Sequence, residues 1–339
     1  MRDRIMLIDF LKGYSITTIV LYHLVIGTAG LPSIIYTASA FGGAGVHVFF
    51  VCSGFGLFLS YKKRPLSYRE FLKKRFSKVY FPYIAVAFMS FLFSFTSEYP
   101  KRLEALLSHV FLYKMFLPEF MGSFGGQMWF ISVIFQFYFV FIFMAKGLRK
   151  IGPKNFFILS FAVSLSWWVI VVLAGKSDER VWNSFFLQYL WEFSLGMILA
   201  DCFTNKDRFF IPTKRALVIA AASGIAFLGV TGVVGGAMRT INDVPSLIGY
   251  GALAILIYSL NIRSVNYFIE RVGAFSYEWY LVHILAFQIV TVLFRSDVPY
   301  ILLPVIKFCF SVIFAIICHK IISLTRKVIN DLTQRDVTQ

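Results

Sequence analysis

Charge is what this chain lacks. Only 15% of its 339 residues are Asp, Glu, Lys or Arg, and the acidic ones are scarcest, 17 against 33 basic. Soluble domains carry about a quarter of their residues charged, so 58% hydrophobic residues and a mean hydropathy of +0.74 exclude an ordinary water-facing domain. The chain is also poor in cysteine. Cys52, Cys202, Cys309 and Cys318 sit in or beside apolar segments, without CxxC spacing or His at metal-ligand intervals, which argues against disulfides and leaves no metal site to expect. Gly/Ser linkers and soluble-looking blocks are missing as well, so a single domain over residues 1–330 with a short tail, 331–339, is expected. No small-residue cleavage site follows the first apolar run, and charge interrupts that run, so it reads as a retained helix rather than a signal peptide.

What is present is a series of membrane-length apolar segments, each about 20 residues long. They fall near 7–26, 42–61, 79–97, 128–146, 155–174, 185–203, 215–232, 245–261, 276–294 and 301–323. The expected fold is an all-α polytopic transmembrane bundle of about ten helices. Ala105 to Met121, with His109 and Pro118, is too polar to span and is expected to be external or re-entrant. Lys and Arg set the orientation. With a cytoplasmic N-terminus, the inside loops collect clusters such as Lys62 to Lys78 and Lys146 to Lys154, whereas the outside keeps only Lys101, Arg102, Lys114, Lys176, Arg180, Arg239 and Arg295. Both termini are therefore expected in the cytoplasm. The net charge of +16 is then topogenic, with attraction to anionic lipid and no implication of nucleic acid.

The first segment breaks the pattern. Asp9, Lys12 and His23 lie in its apolar run, and each charged group near a helix centre costs about 2.5–3.5 kcal/mol on insertion scales. Such residues face a bundle interior or wet cavity and are functional candidates. At about 100° per residue, His23 falls within roughly 20° of Lys12 and 40° of Asp9, so one polar stripe runs along the helix. Asp9, three residues before Lys12, is placed to pair with it.

The densest basic cluster, Lys73, Lys74, Arg75 and Lys78, ends where Tyr80-Phe81-Pro82 opens the third segment. It can be read as topogenic charge alone. It can also be read as a dock for a phosphorylated cofactor, since Arg75 and Lys78 share a helical face and Arg grips phosphate bidentately.

Five segments carry a family resemblance. LIDFLKGYSITTIVLYH (Leu7–His23) is similar to the LDxLRGxAxxxVxxxH pattern of the acyltransferase 3 family of integral membrane acyltransferases. GVHVFFVCSGF (Gly45–Phe55) resembles its GVxLFFVLSGF, and FLKKRFSKVYFPY its FxxRRxxRIxPxY. WFISVIFQFY (Trp129–Tyr138) resembles WFLSVEEQFY, and FSYEWYLVH (Phe275–His283) resembles SYxxYLxH. The resemblance implies an inner-membrane enzyme taking an acyl group, commonly acetyl from acetyl-CoA in the cytosol, to a hydroxyl of a cell-surface polysaccharide or lipid-linked sugar. It makes His23 the essential catalytic group, gives Lys12 the place of an important Arg, and assigns Arg75 and Lys78, beside Lys74, to CoA. Lys12 and Lys78 keep the charge of the family's Arg without its fork. Ile134 and Phe135 stand where many members carry Glu. No esterase domain of the kind found in two-domain relatives is expected after the last helix.

An alcohol attacking a thioester needs a base, and imidazole is suited to that near neutral pH. His23 can act so, or as a covalent nucleophile. Lys12, a Tyr or the Trp129 indole are candidate oxyanion donors. His283 shares a helical face with Ser276 and Tyr280, which fits either a site role or a buried structural hydrogen bond. His47 is a candidate for acceptor contact, Trp129 for sugar stacking or interfacial anchoring, and His109 and His319 for neither role. The alternative is a secondary transporter using the Asp9, Lys12 and His23 stripe, against which no inverted repeat is visible.

Overall fold

The computed structural model describes residues 5–93, 102–206, 211–294, 299 and 302–337. Arg2, Arg4, Lys101, Arg208 and Arg295, and the start of the external loop expected from Ser97, lie outside the described residues, as do the side chains of Lys206 and Arg335. The described chain is helical, without strands. Its helices are α1 (Met6–Ile26), α2 (Ser33–Ala40), α3 (Gly45–Lys63), α4 (Tyr68–Arg75), α5 (Phe81–Leu92), α6 (Arg102–Val110), α7 (Trp129–Leu173) and α8 (Arg180–Asn183). They continue with α9 (Leu190–Lys206), α10 (Lys214–Val234), α11 (Ala237–Thr240), α12 (Asp243–Ser259), α13 (Arg263–Ala274), α14 (Ser276–Leu293) and α15 (Leu302–Val337).

Each of the ten expected apolar segments contains a helix in its described part, although the one expected at 185–203 begins in turns and is helical only from Leu190. The two expected at 128–146 and 155–174 form the single run α7, broken at Gly152, whose φ of 78° and ψ of 162° no helix holds, followed by Pro153. The basic residues between them are helical rather than in a loop. Ser67 caps α4 reciprocally with Glu70, and a π-helical turn, Phe76–Tyr80, carries the chain into α5. The stretch around His109 gives the short α6 followed by 3-10 turns, too short to span.

Among the described residues, five segments are long and apolar enough to cross a membrane by length and composition: Ser33–Lys63, Gly126–Leu173, Lys214–Val234, Ser276–Leu293 and Leu302–Val328. The outer surface fits that setting. Phe143, Leu173 and Val233 are among many large apolar side chains exposed on these segments, where lipid rather than water satisfies them.

Helices pair through small residues, the mode that lets backbones approach closely in lipid. A Cβ on Gly54 of α3 would collide with the Phe193 carbonyl of α9, and one on Gly196 with the Val51 carbonyl in return. Gly13 of α1 likewise abuts Ile269 of α13, Gly273 abuts Asp9, and Gly224 of α10 meets Gly249 of α12. Along the α3–α9 contact, His47 meets Glu192 and Lys62 meets Asp201 at 2.8 Å each. Partners rise together in number, so the two helices run parallel. Stacked rings, Phe50 on Tyr189 and Phe137 on Phe193, lock α7 and the start of α9 to this pair.

Below α6 a polar knot replaces apolar packing. His109 is fully buried, with Nδ1 at 2.8 Å from the Tyr83 hydroxyl and Nε2 at 2.9 Å from Ser123 Oγ. Both ring nitrogens are thus taken up by partners within the fold. Lys114, also fully buried, donates from Nζ to the Ser123 carbonyl at 3.1 Å, and burial pushes its pKa down to about 7.

The unfolded chain holds the Lys114 proton up to about pH 10.4. Between pH 7 and that value unfolding takes up a proton, so stability is expected to rise with pH across this window, by at most about 1.4 kcal/mol per unit. Lys114→Met should raise the thermal midpoint at pH 7 in detergent and flatten this dependence; an unchanged pH profile would contradict the assignment. Gly196→Val should lower the same midpoint, since the overpacked contact costs about 1–3 kcal/mol.

Candidate functional site

A cavity of ≈ 1330 Å³ opens between α1, α3, α12, α14 and the turns that precede α7 and α9. His23, His47, Trp129, Gln188, Asp243 and Tyr280 are among its lining residues. Four residues expected at the site from sequence, His23, His47, Trp129 and Tyr280, therefore share one space although 257 positions separate the first from the last.

His23 is held by His283. The two rings lie 5.0 Å apart and nearly parallel, with His283 Nε2 at 3.0 Å from His23 Nδ1. His283 Nδ1 faces the carbonyls of Trp279 and Tyr280 at 3.1 and 2.9 Å. Carbonyls only accept, so the hydrogen of a neutral His283 sits on Nδ1 and its Nε2 carries a lone pair. His23 must then donate from Nδ1. The lone pair of His23 is thereby assigned to Nε2, on a ring that lines the cavity. A proton gained at Nε2 leaves the bond to His283 intact, since Nδ1 still donates. Of the two readings its sequence position left open, the buried hydrogen bonds are present: His283 is fully buried and bonded to backbone carbonyls and to His23.

Tyr280 donates its hydroxyl to the Gln127 carbonyl, which ties α14 to the start of α7 and commits that hydroxyl elsewhere than to an oxyanion. Gln127 itself is buried and lines the cavity, and its side-chain amide meets no partner on the protein. Trp129 packs with Tyr189 at 5.8 Å and has the Arg180 guanidinium 5.1 Å from its ring centre. One partner for its π face is therefore already supplied by the protein.

Across the cavity, His47 is set between two carboxylates. Its Nδ1 lies 2.8 Å from Glu192 Oε1 and its Nε2 3.8 Å from Asp243 Oδ1. Asp243 also accepts from Gln188 Nε2 at 2.6 Å, and the same nitrogen reaches the Thr240 carbonyl at 2.8 Å. Sequence reading missed Glu192, Asp243 and Gln188. A signal for the first existed: Glu192 is a carboxylate inside the apolar run LWEFSLGMILA, the same anomaly that exposed Asp9.

The other expected residues lie elsewhere. Asp9 and Lys12 pair at 3.9 Å, as their spacing suggested, but neither lines the cavity; along α1 Lys12 is about 16 Å from His23. Arg75 is half-buried against the Phe71 ring, while Lys74 and Lys78 are exposed. This basic segment is at the same end of the bundle as Asp9. The Tyr277 hydroxyl at the start of α14 donates to the Val79 carbonyl, and Gly273, just before α14, abuts Asp9. His319 pairs with Glu278 at 3.3 Å on that end of α14. The stripe of α1 therefore links a basic end, carrying Lys12 and the cluster Lys74, Arg75 and Lys78, to a histidine-lined cavity at the other.

The acyltransferase domain model of the acyltransferase 3 type matches residues 7–320, nearly the whole chain. No curated protein and no solved structure matches.

The tautomer assignment is open to measurement. Nitrogen-15 spectra of the histidine side chains should show neutral His23 protonated at Nδ1, and His283→Phe should release it to the Nε2–H form that free imidazole favours. An Nε2–H form in the native protein would sink the assignment.

Proposed function

Because the chain belongs to the acyltransferase 3 family, we propose that it carries an acyl group, acetyl from acetyl-CoA, from the cytosolic face of the plasma (inner) membrane to a hydroxyl of a cell-surface polysaccharide or lipid-linked sugar, with His23 as general base. The observation that carries this reading is the His23–His283 pair, which leaves an acceptor nitrogen on the cavity wall. In the transfer step the acceptor hydroxyl gives its proton to His23 Nε2 as its oxygen bonds to the thioester carbonyl carbon. The carbon–sulfur bond then breaks, and the thiolate leaving group takes the proton back from the imidazolium. His283 accepts the Nδ1 hydrogen bond throughout and acts as a positioning residue.

The oxyanion formed at the carbonyl needs donors in a dry site. Gln127 supports this role better than the Tyr280 hydroxyl, because its amide is buried on the cavity wall and uncommitted, whereas Tyr280 already donates to a carbonyl. Lys12 supports a different function. Its place at the basic end, paired with Asp9, suits contact with the CoA side of the donor together with Arg75, Lys78 and Lys74. A route along α1 from that end to His23 spans about 16 Å, comparable to an extended thiol-bearing arm. The excess of Lys and Arg at the same end supports a cytosolic orientation for it.

His23→Ala is expected to lower acetyl transfer by about 10²–10⁴-fold while the protein still inserts and folds. Purified protein in vesicles, supplied with radiolabelled acetyl-CoA and a surface-glycan extract, reads the transfer, and ester content of the product by mass spectrometry reads the linkage. Full activity in the variant would remove His23 from the mechanism. Gln127→Leu should lower kcat with little change in KM for acetyl-CoA, the mark of a contact made in the transition state.

A further inference from the structure

The polar cluster on the far wall of the cavity has more acceptors than donors. One nitrogen of His47 and one carboxylate oxygen each of Glu192 and Asp243 lie within 4.8 Å of one another, all buried. Glu192 is fully buried, yet its Oε2 has no hydrogen-bond partner, and neither has the Oε1 of Gln188, whose amide nitrogen holds Asp243. With Glu192 ionised, two buried acceptor oxygens are thus left without a donor beside an imidazole and two carboxylates. Removing each carboxylate from water costs several kcal/mol, and a single imidazole between them can offset one charge at best. Arg180 lines the same cavity and its charge acts on Asp243 and His47, but it is exposed, rests over Trp129 and makes no hydrogen bond to either carboxylate, so the bare oxygens remain without a donor.

We propose that His47, Glu192 and Asp243 bind one divalent first-row cation, with Gln188 Oε1 as a further oxygen ligand. A dication balances both carboxylates beside a neutral imidazole and satisfies the acceptor oxygens that the protein leaves bare. The donor set is imidazole with carboxylate and amide oxygen, which suits Zn²⁺ or Mn²⁺ and disfavours soft, thiolate-seeking ions. The geometry is close to ready. For three donors no more than 4.8 Å apart, contraction to bonds of about 2.1 Å requires each to move by less than about 1 Å. His47, Asp243 and Gln188 line the cavity and Glu192 stands behind them, so the open coordination positions face the space in which a hydroxyl-bearing ligand would enter. The glycine contacts that press α3 to α9 hold His47 against Glu192 whether or not an ion is bound. The inference does not rest on the acyl-transfer reading.

The test uses the full chain in detergent micelles, stripped with a chelator and titrated with Zn²⁺ and separately with Mn²⁺ against a chromophoric competitor. One equivalent of saturable binding is expected for at least one ion, with a rise in thermal midpoint. His47→Gln and Asp243→Asn should each weaken it at least tenfold. Asp243→Asn keeps an acceptor for Gln188 and so guards against a mere folding defect. His23→Ala should leave the affinity unchanged, which separates this site from chelation by the His23–His283 pair. No saturable binding of either ion would overturn the proposal, as would binding that survives His47→Gln and Asp243→Asn or that is lost with His23.

Discussion

A polar side chain carried to membrane depth must find its partner on another helix, because lipid offers none. That constraint organises this protein. His23 of α1 is answered by His283 of α14, and His47 of α3 by Glu192 of α9 and Asp243 of α12. Such partners are useful only at hydrogen-bond distance, which demands backbones closer than ordinary side chains allow. Glycine supplies the approach: Gly54 and Gly196 at the α3–α9 contact, Gly13 and Gly273 where α1 lies against α13.

The same constraint shows in the helices. Among the long apolar segments, α10 and α15 turn large apolar side chains outward, whereas α3 and α14 also carry His47 and His283 inward. The shorter α9 and α12, 17 residues each, bring Glu192 and Asp243 inward. A bundle built this way has a lipid-facing rind and polar clusters set into an apolar core.

The two polar clusters divide the cavity between them. On one wall an imidazole is oriented by a second imidazole and keeps one nitrogen open. On the other an imidazole is bracketed by carboxylates, with oxygens to spare. A neutral histidine as partner leaves His23 without a stabilising anion behind it, unlike the carboxylate-backed histidine of a serine hydrolase triad. His23 therefore gains orientation from its neighbour more than basicity. The basic residues Lys12, Lys74, Arg75 and Lys78 are remote from both walls, at the opposite end of α1.

Much of this was legible in the chain itself. Segment lengths and apolarity announced an all-α bundle of apolar helices, since hydrocarbon thickness dictates both. Asp9, Lys12 and His23 stood out because three ionisable groups in one apolar run are energetically conspicuous, and the pairing of Asp9 with Lys12 followed from helical periodicity alone. Glu192 gave the same signal and was passed over, and Asp243, at the mouth of its helix, gave almost none. What sequence could not contain is which helix faces which. The tautomer of His23 depends, through a histidine 260 residues away along the chain, on the carbonyls of Trp279 and Tyr280, and the cluster around His47 exists only where three helices converge. Local rules of period and polarity act within one helix and are written in its residues. Hydrogen-bond partners between helices depend on packing angles and depths, and those are settled only when the whole bundle closes.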